Sequence, residues 1–419
     1  MAQQAVFRVP PLIKRNTALF AVTQAFTGAG FNFAFGLGPL MVIALTGDAK
    51  WAGLTVALLG LSRFLVAYPS GKITDAYGRR PGILLGLVLA LLGGLVVGVS
   101  MPLASFAALA VGMLIFGMGM NGAQQLRVAA TDMFPAGMRA RALGYVLMGS
   151  LAGVILSPAL IHVGEWLGER WGVHPLGMAW LLMPALILPG MLAVFLVRPD
   201  PRTIGMDLPR YYPGYVPPAP TGAARAGAFS VRELLSQTPI RLAIVANCAG
   251  QGNMSIVMVL TALVLDHHGH SLWAITVSMA LHSAGMFAFG IPLGRLADRF
   301  GRGVVMYSGV ATTLLGAVMV SFTVPYWSVT LGTFLVGVGW AAANIAATTL
   351  IADYAPTLQR GRAIGVADSF AGAVSVVMAI VTGPLIHGFG LSIAGLTAIL
   401  VAAVPLGMRL AYRASRDPA

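Results

Sequence analysis

"GKITDAYGRR" at 71–80 and "GRLADRFGRG" at 294–303 are one phrase written twice: a glycine, an acid four residues on, then Gly-Arg three residues later. A second phrase also recurs, "DMFPAGMRARALG" at 132–144 and "DYAPTLQRGRAIG" at 353–365. The offsets are 223 and 221 residues. Two unrelated phrases displaced by nearly the same distance indicate a duplicated unit.

The residues around the phrases say what that unit is. With a mean hydropathy of +0.84, 58% hydrophobic and 9% charged residues, the chain has too few polar side chains to cover a water-soluble surface. Crossing about 30 Å of hydrocarbon takes about 20 apolar residues. Twelve such runs are found, at 17–46, 51–70, 81–100, 103–126, 142–162, 175–197, 241–265, 271–293, 304–324, 327–351, 363–386 and 390–411. The first is too long for a signal-peptide core and is expected to be retained. The chain is therefore read as an all-α polytopic membrane protein of twelve transmembrane helices in two six-helix bundles.

The net charge of +13 does not point to nucleic acid once its distribution is followed. With the N-terminus in the cytoplasm, the termini and alternate loops hold 23 of the 26 Lys and Arg, leaving Lys50 and Arg170 outside and Arg63 in the second span. That is the positive-inside bias, which predicts both termini in the cytoplasm. The lone Cys248 excludes an internal disulfide and a cysteine zinc site.

Three regions follow: a six-helix bundle at 1–199, a cytoplasmic linker at 200–240, and a second bundle at 241–419. The linker contains "PRYYPGYVPPAP" and reads as an extended tether. Ser230 and Glu233 have capping-box spacing, so a short amphipathic helix is expected there.

The repeated phrase resembles the loop signature of the major facilitator superfamily, matched by Gly71, Asp75, Gly78, Arg79 and Arg80. In the second copy Gly294, Asp298, Gly301 and Arg302 match while Gly303 replaces the last basic residue, which predicts a weaker latch. The resemblance covers the whole chain. It implies an alternating-access transporter, a cytoplasmic latch built on Asp75 and Arg79, and a central cavity lined by spans one, four, seven and ten. Asp368, the only acid within a span, is expected to meet the first latch; the alternative is that it reaches the membrane interface.

The cavity spans carry uncharged polar groups: Gln24 and Asn32; Asn121, Gln124 and Gln125; Asn247, Gln251 and Asn253; Trp340 and Asn344. No carboxylate falls near mid-membrane, so no acidic proton relay is visible. Arg63, about 12 Å inside span two by helical rise, either binds an anion, pairs with a carbonyl, or reaches the interface.

In "NMSIVMVLTALVLDHHGH" at 253–270, Met254 and Met258 stand one helical turn apart. Alone the pair means little, because a chain with 21 Met in 419 residues produces roughly one such pair by chance. Span eight supplies His282 and Met286 at the same spacing, again on one helical face. Met254 and His282 each lie 11 residues from the intervening loop, about 16 Å, so these two are level near mid-membrane; Met258 lies nearer the outside and Met286 nearer the cytoplasm, and the four form a ladder if both stripes face each other or the cavity. Thioethers suit Cu(I) and compete poorly for Mg, Ca or Mn, while imidazole suits copper or zinc. A mid-span histidine is costly without a partner or a task.

These paired motifs resemble the signature of the CcoA-like branch of the superfamily, which implies import of copper across a bacterial inner membrane. Cysteines contribute in that branch, whereas Cys248 lies off the methionine stripe. The outer loop places His267, His268 and His270 beside Asp266, either a collecting point for metal or a solvated loop. The expectation is thus a monomeric copper importer with no cofactor, copper being the transported ion, and with the lipid bilayer rather than nucleic acid as partner. Alternatives are an importer of a planar organic solute such as riboflavin, a multidrug exporter, or a non-transporting sensor. No nucleophile, paired carboxylates or phosphate loop suggests an enzyme.

Overall fold

The computed structural model describes residues 7–48, 51, 53–217 and 229–414, and every regular element among them is helical. Lys50 and residues 218–228 of the expected tether lie outside them. The helices of the first half are α1 (Pro11–Thr46), α2 (Leu54–Tyr77), α3 (Arg79–Ser100), α4 (Phe106–Ala123), α5 (Leu126–Asp132), α6 (Arg139–Met148), α7 (Ser150–Trp171), α8 (Pro175–Leu181) and α9 (Met183–Leu196). Then come α10 (Pro201–Met206), α11 (Leu208–Tyr211) and α12 (Val231–Ser236). The second half holds α13 (Thr238–His267), α14 (Leu272–Ala288), α15 (Gly290–Phe300), α16 (Arg302–Phe322), α17 (Tyr326–Tyr354), α18 (Arg360–Phe389) and α19 (Leu391–Ala414).

Among the described residues, eleven helical runs are long and apolar enough to cross a bilayer, and α14 with α15, bent by 41°, makes a twelfth when the pair is counted as one span. Their ends follow local chemistry. Ser105 and Ser271 cap α4 and α14, accepting the N–H of Ala108 and Ala274 at 3.2 and 3.3 Å, which satisfies donors that the first turn leaves unpaired. Gly78 and Gly301 take φ of +107° and +98°, a region where a side chain would clash, so the chain turns sharply at each copy of the repeated phrase.

Two compact units result. The first comprises Met1–Pro135, Tyr145–Pro217 and Thr357–Val376; the second comprises Ala136–Gly144, Pro218–Pro356 and Val377–Ala419. Each unit therefore contains one short segment from the other half of the sequence. In the first unit the fully buried Trp180 sits edge-on to Phe33 and Phe116, with centroids 5.3 and 5.0 Å away. In the second unit Val257, Leu260, Val320, Val336 and Ala398 form the core between α13, α16, α17 and α19.

Glycine admits the foreign segments. A Cβ on Gly71 would collide with the Gly361 carbonyl within the first unit, and one on Gly294 with the Ala140 carbonyl within the second. The leading glycine of each repeated phrase is thus a point of backbone contact.

Several helices run past the ends that apolarity alone predicts. α2 continues to Tyr77, the fourth span to Asp132, and α18 starts at Arg360. The extensions carry Asp75, Arg127, Asp132 and Arg362, whose charges are met by ion pairs. Hydropathy stops at such residues; a helix need not.

The linker also departs from an extended tether. Pro201–Met206 and Leu208–Tyr211 are helical, each with proline in its first turn, where its missing N–H costs nothing. Tyr212 is buried in the first unit and donates its hydroxyl to the Met133 carbonyl at 3.1 Å. Burial holds that hydroxyl well above the usual tyrosine range. Farther on, Ser230 Oγ accepts the Glu233 N–H at 3.4 Å at the start of α12.

Candidate functional site

Asn247, Gln251, Met254, Met258 and Thr261 recur every three or four residues along α13 and so share one face. That face runs antiparallel to α17. Asn344 Nδ2 donates to Asn247 Oδ1 at 3.1 Å, Trp340 Nε1 points at Gln251 Oε1 at 3.4 Å, and the hydroxyls of Thr261 and Thr333 are 2.7 Å apart. Met254 and Met258, both half-buried, fall between the Gln251 and Thr261 contacts. The register puts them opposite the turn from Thr333 to Gly337.

α14 reaches that turn from another side. His282 is 1% exposed, and its Nδ1 lies 2.7 Å from the Thr333 carbonyl. A carbonyl only accepts, so Nδ1 carries the proton and Nε2 of the neutral ring holds a lone pair. Nε2 is buried with no hydrogen-bond partner among the described residues. Gly337 faces the carbonyl of His282, and a Cβ there would stand 3.1 Å from the Met286 N–H. The α14 backbone can approach this closely because position 337 carries no side chain. α13 and α14 each pack mainly on α17 and meet each other sparsely. The Thr333–Gly337 turn thus takes the ring of His282 and the α14 backbone at His282 and Met286, and lies across from Met254 and Met258 in the register of α13. An imidazole fixed to a backbone carbonyl through one nitrogen has its other nitrogen oriented for a ligand.

The loop histidines are arranged differently. His268 Nδ1 is 2.7 Å from the Val264 carbonyl, closing the end of α13; His267 meets His268 edge-on at 5.6 Å; His270 lies 5.3 Å from the Tyr326 ring. Among the described residues no three His, Cys, Asp or Glu are grouped as a metal site. Cys248 is half-buried.

The amides expected to line a cavity in the first unit tie helices together. Gln24 donates to Ser150 Oγ at 2.8 Å, Asn121 to Ser62 Oγ at 3.3 Å, and Gln125 accepts from Thr74 at 3.4 Å. Gln124 and Asn32 are half-buried. In the second unit Asn253 donates to the Ala398 carbonyl at 2.7 Å, away from the methionine face.

The two copies of the repeated phrase build matching charge networks, one inside each unit. In the first, Asp75 accepts the N–H groups of Gly361 and Arg362, both at 2.9 Å, and pairs with Arg79 at 2.6 Å. Arg79 Nε also reaches Asp132 at 2.7 Å, Arg360 pairs with the other oxygen of Asp132, and Arg79 Nη2 donates to the Thr357 carbonyl at 2.8 Å. In the second, Asp298 accepts the N–H groups of Ala140 and Arg141 at 3.2 and 2.9 Å and pairs with Arg302 at 2.6 Å. Arg302 reaches Asp353 at 3.2 Å, Arg139 meets Asp353 at 2.8 Å, and Arg302 donates to the Ala136 carbonyl at 2.6 Å.

Two expectations change here. Gly303 falls outside the carboxylate network, because its counterpart Arg80 donates to the Val194 and Phe195 carbonyls at the end of α9 instead. Asp368 does not meet Arg79: its two oxygens take Arg63 at 2.7 Å and Arg127 at 2.6 Å. Arg63, half-buried, thus shares Asp368 with the buried Arg127, and α2 extends about 21 Å beyond Arg63 by helical rise.

Asp132, Arg139, Asp353, Arg360 and Arg362 were not singled out from sequence, although the second repeated phrase contains all of them at matching positions. Arg127 had no such signal. It lies one residue past the apolar run that appeared to end the fourth span.

The chain matches the family described as Major Facilitator Superfamily over residues 19–379 and again over 242–418. It is 27% identical over 361 residues to an uncharacterised transporter of that type, YddS of Bacillus subtilis (strain 168), covering 85% of this chain and 81% of the relative. It is 26% identical over 398 residues to the riboflavin transporter RfnT of Brucella anthropi, covering 90% of each. Among solved structures, the human organic anion transporter MFSD10 superposes with a TM-score of 0.72 at 15% identity, over 94% of this chain and 99% of that one. At that identity the likeness concerns the fold.

Proposed function

We propose that this chain, which belongs to the major facilitator superfamily, is an importer of the bacterial inner membrane whose cargo is copper. Membership makes it a multi-pass membrane transporter of a small solute; the cargo and direction are our reading. The observation that carries it is His282, whose Nδ1 is fixed on the Thr333 carbonyl and whose Nε2 is buried without a partner among the described residues. A polar atom left so in the middle of a span is costly, and a soft metal ion is one occupant that removes the cost.

The surroundings favour copper over other ions. Met254 is level with His282 while Met258 lies a turn farther out and Met286 a turn farther in, and a ladder of three thioethers with one neutral imidazole and no carboxylate suits Cu(I) rather than Mg, Ca or Mn. In this reading copper passes between α13 and α14 along these four side chains. The loop residues His267, His268 and His270 are not grouped and stay outside the path. The positive-inside charge distribution supports cytoplasmic termini, and the two Asp–Arg networks act as latches in an alternating-access cycle.

A second reading is import of a planar solute of the riboflavin kind. It is favoured by the similarity to RfnT over 90% of both chains and by the ring-and-amide pair of Trp340 and Gln251. Purified protein in liposomes, offered radiolabelled copper and radiolabelled riboflavin in parallel, separates the two. Trp340→Ala should lower riboflavin uptake about tenfold if a ring contact worth about 1.4 kcal/mol holds the solute. If copper is the cargo, that variant keeps wild-type copper uptake. Riboflavin accumulation without copper accumulation would replace the first reading by the second.

A further inference from the structure

Within the second unit, the seam between α14 and α17 is polar at successive turns. Tyr326 donates its hydroxyl to the Ala274 carbonyl at 2.9 Å, and farther in His282 Nδ1 meets the Thr333 carbonyl at 2.7 Å. The two helices therefore run parallel here, with Ala274 level with Tyr326 and His282 level with Thr333. Ser278 stands midway between Ala274 and His282 on the same stripe of α14, and Thr330 stands between Tyr326 and Thr333 on the facing stripe of α17. That register sets the two hydroxyls against each other. Ser278 is fully buried and Thr330 is 2% exposed, and neither hydroxyl oxygen has a hydrogen-bond partner among the described residues. Nε2 of His282, one turn farther in, is in the same condition.

A buried hydroxyl left unpaired costs about 1–3 kcal/mol, and the fold does not impose that cost. The first unit packs the matching pair, α2 and α4, with apolar groups at these stations. Gly112, Gly117 and Gly119 of α4 repeat as Gly332, Gly337 and Gly339 of α17, which sets Ala110 in the place of Thr330. At the offset of 223 residues between the phrases 71–80 and 294–303, Leu59 stands for His282 and Arg63 for Met286.

The donors and acceptors define what fits. A hydroxyl can donate, whereas the lone pair of Nε2 only accepts. Ser278 and His282 are four residues apart, about 6 Å along the axis. Two hydrogen bonds of about 2.8–3.0 Å meeting at one oxygen span that distance. Water donates to Nε2 while accepting from both hydroxyls, and about three partners is usual for a buried water.

We propose that Ser278, Thr330 and His282 hold a buried water between α14 and α17, and that this water is the resident ligand of Nε2, exchanged for any cargo that takes that nitrogen. The inference stands whichever cargo is carried, and does not rest on copper.

The test is radiolytic footprinting of the full-length protein purified in detergent, with water itself as the probe. A short X-ray pulse converts water to hydroxyl radicals, which oxidise the side chain that a bound water touches even where bulk solvent does not reach. His282 should be oxidised, while Phe33, equally buried but packed against the Trp180 ring, should not. Ser278→Ala combined with Thr330→Val should lose the oxidation of His282. Each substitution alone leaves two of the three partners and should lower it, and the single variants carry the test should the double variant fail to accumulate. Thr313→Val removes another buried hydroxyl that is unpartnered among the described residues, but on α16, and should leave the oxidation intact. A wild-type His282 as inert as Phe33, oxidation that survives in the double variant or, in its absence, in both single variants, or oxidation that Thr313→Val removes as well, would overturn the proposal.

Discussion

Replacing His282 by alanine is expected to abolish copper accumulation, to below about a tenth of wild type, while the protein still reaches the membrane. The magnitude follows from what is removed. Changing a group that merely orients a metal ligand costs 10- to 100-fold, and here the expected ligand itself goes. Folding should survive, because among the described residues the one hydrogen bond lost is that from Nδ1 to the Thr333 carbonyl, worth about 1 kcal/mol net, and because the buried Nε2, unpartnered among the same residues, disappears with it. Met254→Ala is expected to act in the same direction. Replacing His267, His268 and His270 together should leave uptake at saturating copper unchanged. The measurement is radiolabelled copper taken up by cells, normalised to protein in the membrane. Wild-type accumulation in both the His282 and Met254 variants would end the copper reading without touching the family assignment.

Asp132→Ala should be the most destabilising change in the charge networks. Its carboxylate is fully buried and serves Arg79, itself fully buried, on one oxygen and Arg360 on the other. Removing one member of a buried ion pair costs about 3–5 kcal/mol, chiefly because the partner's charge is left uncompensated. The matching change in the other unit, Asp353→Ala, leaves Arg302 and Arg139 in a site where the carboxylate is 25% exposed. Water can solvate those cations in part, so the loss should be markedly smaller. Melting temperatures of the two variants in the same detergent decide it; equal losses would mean that burial does not set the difference.

The repeated phrases made the duplication, the helical class and the number of spans legible, because bilayer thickness imposes a run length that survives without any tertiary information. Span ends were less legible. Asp132 and Arg127 look like loop residues to a hydropathy rule, and become helical only because charges elsewhere in the chain meet them. The partner of Asp368 was misread for the same reason. Family likeness pointed to Arg79, but Arg79 is already shared between Asp75 and Asp132, a count that needs positions in space. On α13 the helical period was enough to put Met254, Met258 and Gln251 on one face. The role of Thr333, whose carbonyl fixes the ring of His282, was beyond any periodicity, since a backbone acceptor carries no sequence signal.

The short segments that each unit borrows from the other half suggest how the molecule arose. Before the halves were joined, two identical chains making these contacts would have formed a symmetric pair, each lending its arginine turn to the carboxylates of its twin. Joining them fixed the stoichiometry at one to one and released the copies from being alike. Where one descendant keeps Arg63 and the other Met286, the same station on a helix has become an ionic post in the first and a soft donor in the second. Such divergence is closed to a homodimer, in which every substitution appears twice.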